Sequence, residues 1–309
     1  MLGGLTSPPL SVNPKRLSVI CVPLAPAAPV ATAERGFDSA GVRIRYVEKG
    51  AGVPVVLLHG YASDVEDQWV ASGVLPRLAQ RHRVIAFDAR GHGRSGKPHD
   101  AKAYGAQMAL DVARLLDHLG ISQAHVVGYS MGAHIVAKLL TLAPERFLSA
   151  TLGGASGRRN WTQRDDARVE IEAAEMERGR LDTQILRLAP ADRPQPDAAG
   201  IERLSSEILA GRDRHALAAV RRSNREQVVS EARMAAVRVP VLGIVGAQDA
   251  YLADFRALKT VMPQMKLVVI EGATHGSAPS RPEFTATLLD FLGAYREAQS
   301  SARDFVTTP

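Results

Sequence analysis

The sequence predicts an α/β fold, a mostly parallel sheet with helices on both faces, and three observations carry that prediction. Strand-like and helix-like stretches alternate along most of the 309 residues, the order that builds a parallel sheet. Two strand-length runs, Val55 to Leu58 and Val241 to Val245, are apolar throughout, as strands buried on both faces require. Third, a short β-branched strand from His125 enters Gly128-Tyr129-Ser130-Met131-Gly132 and leaves as the helix opened by Ala133-His134-Ile135. With 46% hydrophobic residues the chain can bury a sizeable core as one large domain plus an insertion. No internal repeat, heptad run or collagen-like period competes with this reading.

The elements follow in order. Val42 to Val47 alternates as a half-exposed edge strand does. Val55 to Leu58 is a buried strand that runs into the turn His59-Gly60-Tyr61. Val84 to Phe87 precedes the glycine-rich loop Asp88 to Gly96. The spacing of Met108, Val112, Leu115 and Leu116 gives a helix over Gln107 to Leu119, ended by Gly120. Val239 to Val245 ends in Gly246-Ala247-Gln248-Asp249, and Lys266 to Ile270 ends in Glu271-Gly272-Ala273-Thr274-His275-Gly276. Between Ala155 and Ala236 strand signals vanish and charge becomes dense. Helical stretches such as Ala167 to Arg178 and Ile201 to Leu209 are separated there by Pro190, Pro194 and Pro196.

A serine hydroxyl is a poor nucleophile unless it stands clear of the backbone, beside a base and near donors for the oxyanion that forms. A sharp strand-to-helix turn meets those needs and leaves no room for side chains next to the serine, which accounts for Gly128 and Gly132. The carboxyl ends of parallel strands face the crevice where open α/β sheets bind ligands, so Asp249 and His275 arrive at the same edge as Ser130. Asp249 is preferred as the acid because it follows its strand directly; Asp254 falls in what reads as the next helix, and Glu271 lies close to the base. The glycine turn at Tyr61 can aim one backbone N–H at the developing charge, and Met131 supplies another at the positive end of its helix. His59 and His92 read as loop braces, His134 as packing or surface, and Ser95 and Ser156 as turn residues.

These pieces resemble the α/β-hydrolase family, in its large group with an L-H-G-x loop, a G-x-S-x-G elbow, a G-x-x-D acid turn and a G-x-x-H base turn. The likeness runs from about Gly36 to Tyr295 and includes Val84 to Gly96, Ala143-Pro144-Glu145-Arg146-Phe147 and Pro282-Glu283-Phe284. It implies an eight-stranded, mostly parallel sheet with a helical cap inserted after the sixth strand. The chain order Ser130, Asp249, His275 is that of the family's nucleophile elbow. The resemblance implies a serine hydrolase of carboxylesterase type that cleaves a small ester through an acyl-enzyme. Lactonases, perhydrolases of haloperoxidase type and carbon–carbon bond hydrolases share the same three residues and stay open. Haloalkane dehalogenases and epoxide hydrolases use an aspartate where this chain has Ser130. A hydrolase-fold ligand-binding protein is the non-enzymatic alternative.

The domain plan is a core of residues 34–154 and 237–298, a cap of residues 155–236 and a tail of residues 299–309. Trp161, Met176, Leu186 and Leu188 are the candidate pocket lining. The net charge of +6 raises nucleic acid as a partner, but the arginines are dispersed and aromatics are only 5% of the chain, so none is expected. Arg158-Arg159 and Arg221-Arg222 read as solvated surface, with an anion site as the alternative. No metal-ligand cluster or dinucleotide fingerprint is present, so no cofactor or metal is expected. Residues 1–33 combine Lys15-Arg16, an apolar run from Leu17 and Ala31-Thr32-Ala33. They read as a cleavable signal peptide for export to the periplasm or medium; a disordered extension on a cytoplasmic protein is the alternative. The run is too short and too rich in proline to span a membrane, and the single Cys21 excludes an internal disulfide.

Overall fold

The computed structural model describes residues 34–190 and 192–304; the signal-peptide reading of residues 1–33 lies outside them. Eight strands form one sheet: β1 (Arg35–Ser39), β2 (Val42–Lys49), β3 (Pro54–Leu58), β4 (Arg83–Phe87), β5 (Ala124–Tyr129), β6 (Phe147–Gly153), β7 (Val241–Gly246) and β8 (Lys266–Ile270). Their spatial order is β1-β2-β4-β3-β5-β6-β7-β8, and every pairing is parallel except β1 with β2 and β2 with β4. The strand read as an edge is β2, which lies second in the sheet. Its outer neighbour is β1, too charged and short to announce itself, and Arg45 of β2 is buried by pairing with Asp88 at 3.4 Å and Glu66 at 3.0 Å.

The apolar runs are two-faced for a geometric reason. Successive side chains in a strand point to opposite sides, so Val56 and Leu58 join one core while Val55 and Leu57 join the other. Helices α2 (Ala106–His118), α3 (Met131–Leu142) and α9 (Leu252–Val261) cover the first face; α1 (Val74–Leu78) and α10 (Pro282–Asp304) cover the second. Met108, Val112, Leu115 and Leu116 of α2 are buried as their spacing predicts, and the helix stops before Gly120 at φ +66°. Helix α10 continues to Asp304, so residues 299–304 are helical rather than part of a tail.

From β6 to β7 the chain forms α4 (Gln163–Glu177), α5 (Asp182–Leu188), α6 (Ala198–Leu209), α7 (Arg214–Arg222) and α8 (Glu231–Ala235). Thr162 and Asp165 close a reciprocal capping box at the start of α4, and Asp197 caps α6 by accepting from the Gly200 N–H. Met176, Leu181, Leu209, Leu217 and Ala218 make a small core of their own that reaches Ala62 beside β3. The crossover that matters is at the centre of the sheet. Strand β3 lies between β4 and β5, so the chain leaves it first to one side and later to the other, which opens a crevice at the carboxyl ends of β3 and β5.

Candidate active site

Ser130 sits in that crevice at φ 53° and ψ −110°, a strained conformation for a residue with a side chain. The surrounding packing imposes it. A Cβ on Gly128 would lie 2.3 Å from the Gly132 carbonyl group, and one on Gly132 would lie 2.3 Å from the Leu58 carbonyl oxygen. Only glycine lets β5 turn this tightly into α3 beside β3. The Ser130 N–H donates to the Gly153 carbonyl at 2.8 Å, so β6 anchors the turn.

His275 and Asp249 meet Ser130 in a continuous chain of hydrogen bonds. The imidazole Nε2 is 3.0 Å from Ser130 Oγ, and Nδ1 is 2.9 Å from Asp249 Oδ2. Asp249 Oδ1 accepts the Tyr251 N–H at 3.0 Å, which holds the carboxylate in place. Because Asp249 can only accept, Nδ1 carries the proton and Nε2 is free to take one from serine. Asp254, the competing acid, lies in α9, where its carbonyl accepts from Arg159 at 3.0 Å; Glu271 is exposed.

Neighbouring residues fix the site. Tyr129, immediately before Ser130, donates its hydroxyl to the His275 carbonyl at 2.5 Å, and burial pushes its pKa well above the ordinary tyrosine value, so it stays a donor. His59 accepts the Ala89 N–H at Nε2 (3.0 Å), which leaves Nδ1 to donate to the Gly60 carbonyl at 2.7 Å. Burial lowers its pKa and keeps it neutral, as a brace for the β3 turn. His92 packs against His59 and Tyr61 with ring centroids 5.2 Å and 5.8 Å away, and burial lowers it further. Ser95 accepts the Arg45 N–H at 2.9 Å and donates to the Asp88 carbonyl, a loop role. Among the described residues neither the Tyr61 N–H nor the Met131 N–H has an acceptor in the protein, and both residues line the cavity at Ser130.

That cavity holds about 160 Å³, below the roughly 300–1,000 Å³ of sites for drug-sized ligands. Its walls correct several expectations. Leu188 lines it, but Met176 packs in the small core of the insertion, Leu186 is exposed, and Trp161 donates to Asp166 at 2.7 Å beside a neighbouring pocket. His134 is buried rather than at the surface and faces the cavity; burial holds its pKa well below the ordinary value, and Arg158, Arg187 and Arg221 lower it further. These arginines contradict the solvated-surface reading of Arg158 and Arg221. Arg221 is buried with its guanidinium 3.8 Å from the Tyr61 ring centre, and it pairs with Glu172 of α4 at 3.1 Å. Arg222, its neighbour, does face outward, pairing with Glu170 at 3.1 Å and Glu177 at 2.6 Å. Local spacing does not mark Arg187, Gln184 and Asn224 as wall residues, because only the packing of α5, α7 and the turn after α7 brings them to the cavity.

Among the described residues no group of acids, histidines or cysteines is placed to hold a metal ion, and no helix is long and apolar enough to cross a membrane. A family model described as an alpha/beta hydrolase fold matches residues 53–282. A protein named putative carbamate hydrolase RutD, from Azorhizobium caulinodans, is 28% identical over 257 residues, 80% of this chain and 94% of that protein. A dihydrolipoyllysine-residue acetyltransferase component of the acetoin cleaving system of Cupriavidus necator is 45% identical over 123 residues, 40% of this chain. The match spans about a third (32%) of that relative's length. Among solved structures, a thermophilic esterase from Thermogutta terrifontis aligns with a TM-score of 0.69 at 22% identity, covering 85% of this chain and 99% of that one, a likeness of fold.

Proposed function

The chain belongs to the α/β-hydrolase fold family, and from that premise we propose that it is a serine hydrolase cleaving a carboxylic ester of a small molecule through an acyl-enzyme on Ser130. The observation that carries the proposal is the unbroken chain from Ser130 Oγ to His275 at 3.0 Å and from His275 to Asp249 at 2.9 Å, on a strained turn in the crevice. His275 takes the serine proton as Oγ attacks the ester carbonyl, and Asp249 stabilises the imidazolium. The Tyr61 and Met131 N–H groups receive the oxyanion, a contribution worth ~10²–10³ in kcat per donor. His275 then protonates the leaving alcohol, and water, deprotonated by the same imidazole, releases the acid. The insertion between β6 and β7 serves as the lid that excludes bulk water.

Ser130→Ala tests this directly. The variant is expected to lose labelling by a fluorophosphonate probe and about 10⁶-fold in kcat on short methyl esters; retained labelling or turnover overturns the proposal. A carbamate is the second reading, favoured by the near full-length likeness to RutD. It presents a similar carbonyl to the same serine, so a short carbamate and a lactone belong in the same substrate screen.

A further inference from the structure

Three arginines, Arg158, Arg187 and Arg221, line the small cavity at Ser130, and among the described residues no aspartate or glutamate does. Behind them stands one carboxylate, Glu172. Burial pushes its pKa up, but Arg221, Arg187 and Arg168 outweigh that effect and hold it below the ordinary range. Its Oε2 pairs with Arg221 at 3.1 Å and its Oε1 with Arg187 at 3.1 Å. Arg187 also donates to the Tyr251 hydroxyl, and Arg221 to Gln184. Arg158 differs. Among the described residues its side chain has no ion pair and no hydrogen bond, and its Nε, like that of Arg221, is buried without a hydrogen-bond partner. Burial brings its pKa down to about 10. A buried polar group left unpaired is costly, and here it borders the space that a substrate fills.

We propose that the substrate carries a carboxylate on its acyl side and that Arg158, with Arg187 and Arg221 beside it, binds that group while the ester carbonyl meets Ser130. This rests on the hydrolase reading above and narrows it to short half-esters of dicarboxylic acids. A planar guanidinium fork matches a carboxylate with two parallel hydrogen bonds. Arg158 and Ser130 line the same cavity of about 160 Å³, so a small molecule that fills it borders both. A substrate that leaves Arg158 unpaired forgoes this contact, which makes the arginine a specificity residue.

The test uses two methyl esters of the same shape that differ in charge, methyl hydrogen succinate and methyl succinamate. The Ser130→Ala variant does not turn them over, so calorimetric titration reads the anion site apart from the chemistry. The anion is expected to bind ~10-fold or more tightly than the amide, the scale of a hydrogen bond to a charged group. Adding Arg158→Gln should erase the preference, whereas Arg158→Lys should keep part of it. Equal binding of the two esters to protein with Arg158 intact overturns the inference, as does a preference that survives Arg158→Gln. Failure of the hydrolase reading looks different: native protein escapes fluorophosphonate labelling while the binding preference persists.

Discussion

Replacing Asp249 with asparagine isolates what the carboxylate contributes, because the swap conserves shape. The structure dictates how the amide would sit. The Tyr251 N–H, 3.0 Å from Oδ1, requires an acceptor there, so the asparagine oxygen takes that position and its NH₂ takes the Oδ2 position, 2.9 Å from His275 Nδ1. Nδ1 must then accept, which moves the ring proton to Nε2, where it faces the Ser130 hydroxyl at 3.0 Å. The base is lost without any loss of packing. The expected fall in kcat is ~10⁴-fold, the size known for this swap in another serine–histidine–aspartate site, equivalent to ~5 kcal/mol of barrier at about 1.36 kcal/mol per tenfold change. The assay is steady-state hydrolysis of a short methyl ester at pH 7, with the thermal midpoint measured in parallel. A loss below tenfold at unchanged stability refutes the tautomer argument, as does an equal loss in Asp254→Asn.

The sheet itself supplies a pH prediction. His125 is buried in β5, 2.7 Å from Ser149 Oγ, and burial, helped by His82, lowers its pKa to about 4. The unfolded chain protonates near pH 6.5, before the folded one. His125 therefore leaves stability intact above about pH 6.5 and reduces it by ~1.4 kcal/mol per pH unit down to about 4, roughly 3 kcal/mol in all. Urea midpoints at pH 7 and pH 4.5 should show the decline, and an unchanged slope in His125→Asn contradicts the assignment. Asp111 provides a stability prediction: its carboxylate takes two hydrogen bonds from buried Arg90, at 2.7 Å and 2.5 Å, and one from Ser39 at 2.5 Å. Burial still raises its pKa, so the pair does not fully offset its own desolvation, but Asp111→Ala strands the Arg90 charge and should cost about 3–5 kcal/mol in denaturant unfolding. A loss under about 1 kcal/mol would show that Arg90 finds other partners or water.

The sequence makes the sheet and the three candidate reacting residues legible because each follows a local rule. A strand buried on both faces is apolar at every position, a turn without space needs glycine, and the short loop that follows a parallel strand lands in the crevice. Ser130, Asp249 and His275 all satisfy such rules. Arg221 satisfies none. Its neighbour Arg222 is chemically identical and faces outward, and what turns Arg221 inward is Glu172 on a helix far back in the chain together with the face of Tyr61. Met176 and Leu188 look interchangeable in sequence, yet one packs within the insertion and the other reaches the cavity. The packing of α4 against α7 and α5 decides these cases, and no window of neighbouring residues contains it. Strand β1, Arg-Gly-Phe-Asp-Ser, carries a single large apolar residue, Phe37, and no apolar alternation; its place is secured by pairing with β2.

The hydroxyl bond from Tyr129 to the His275 carbonyl bears on how this site tolerates change. Loops that carry reactive groups ordinarily have to hold them in place through their own conformation. Here the residue next to Ser130 is itself the spacer to the base, a rigid ring whose length is set by covalent bonds and whose root lies in the central sheet. Serine and imidazole thus share one ruler. The turn from Glu271 to Gly276 therefore does not measure that gap alone: the buried Ala273 and the Thr274–Ser277 bond hold the loop from one side, and the Tyr129 ring fixes its reach from the other.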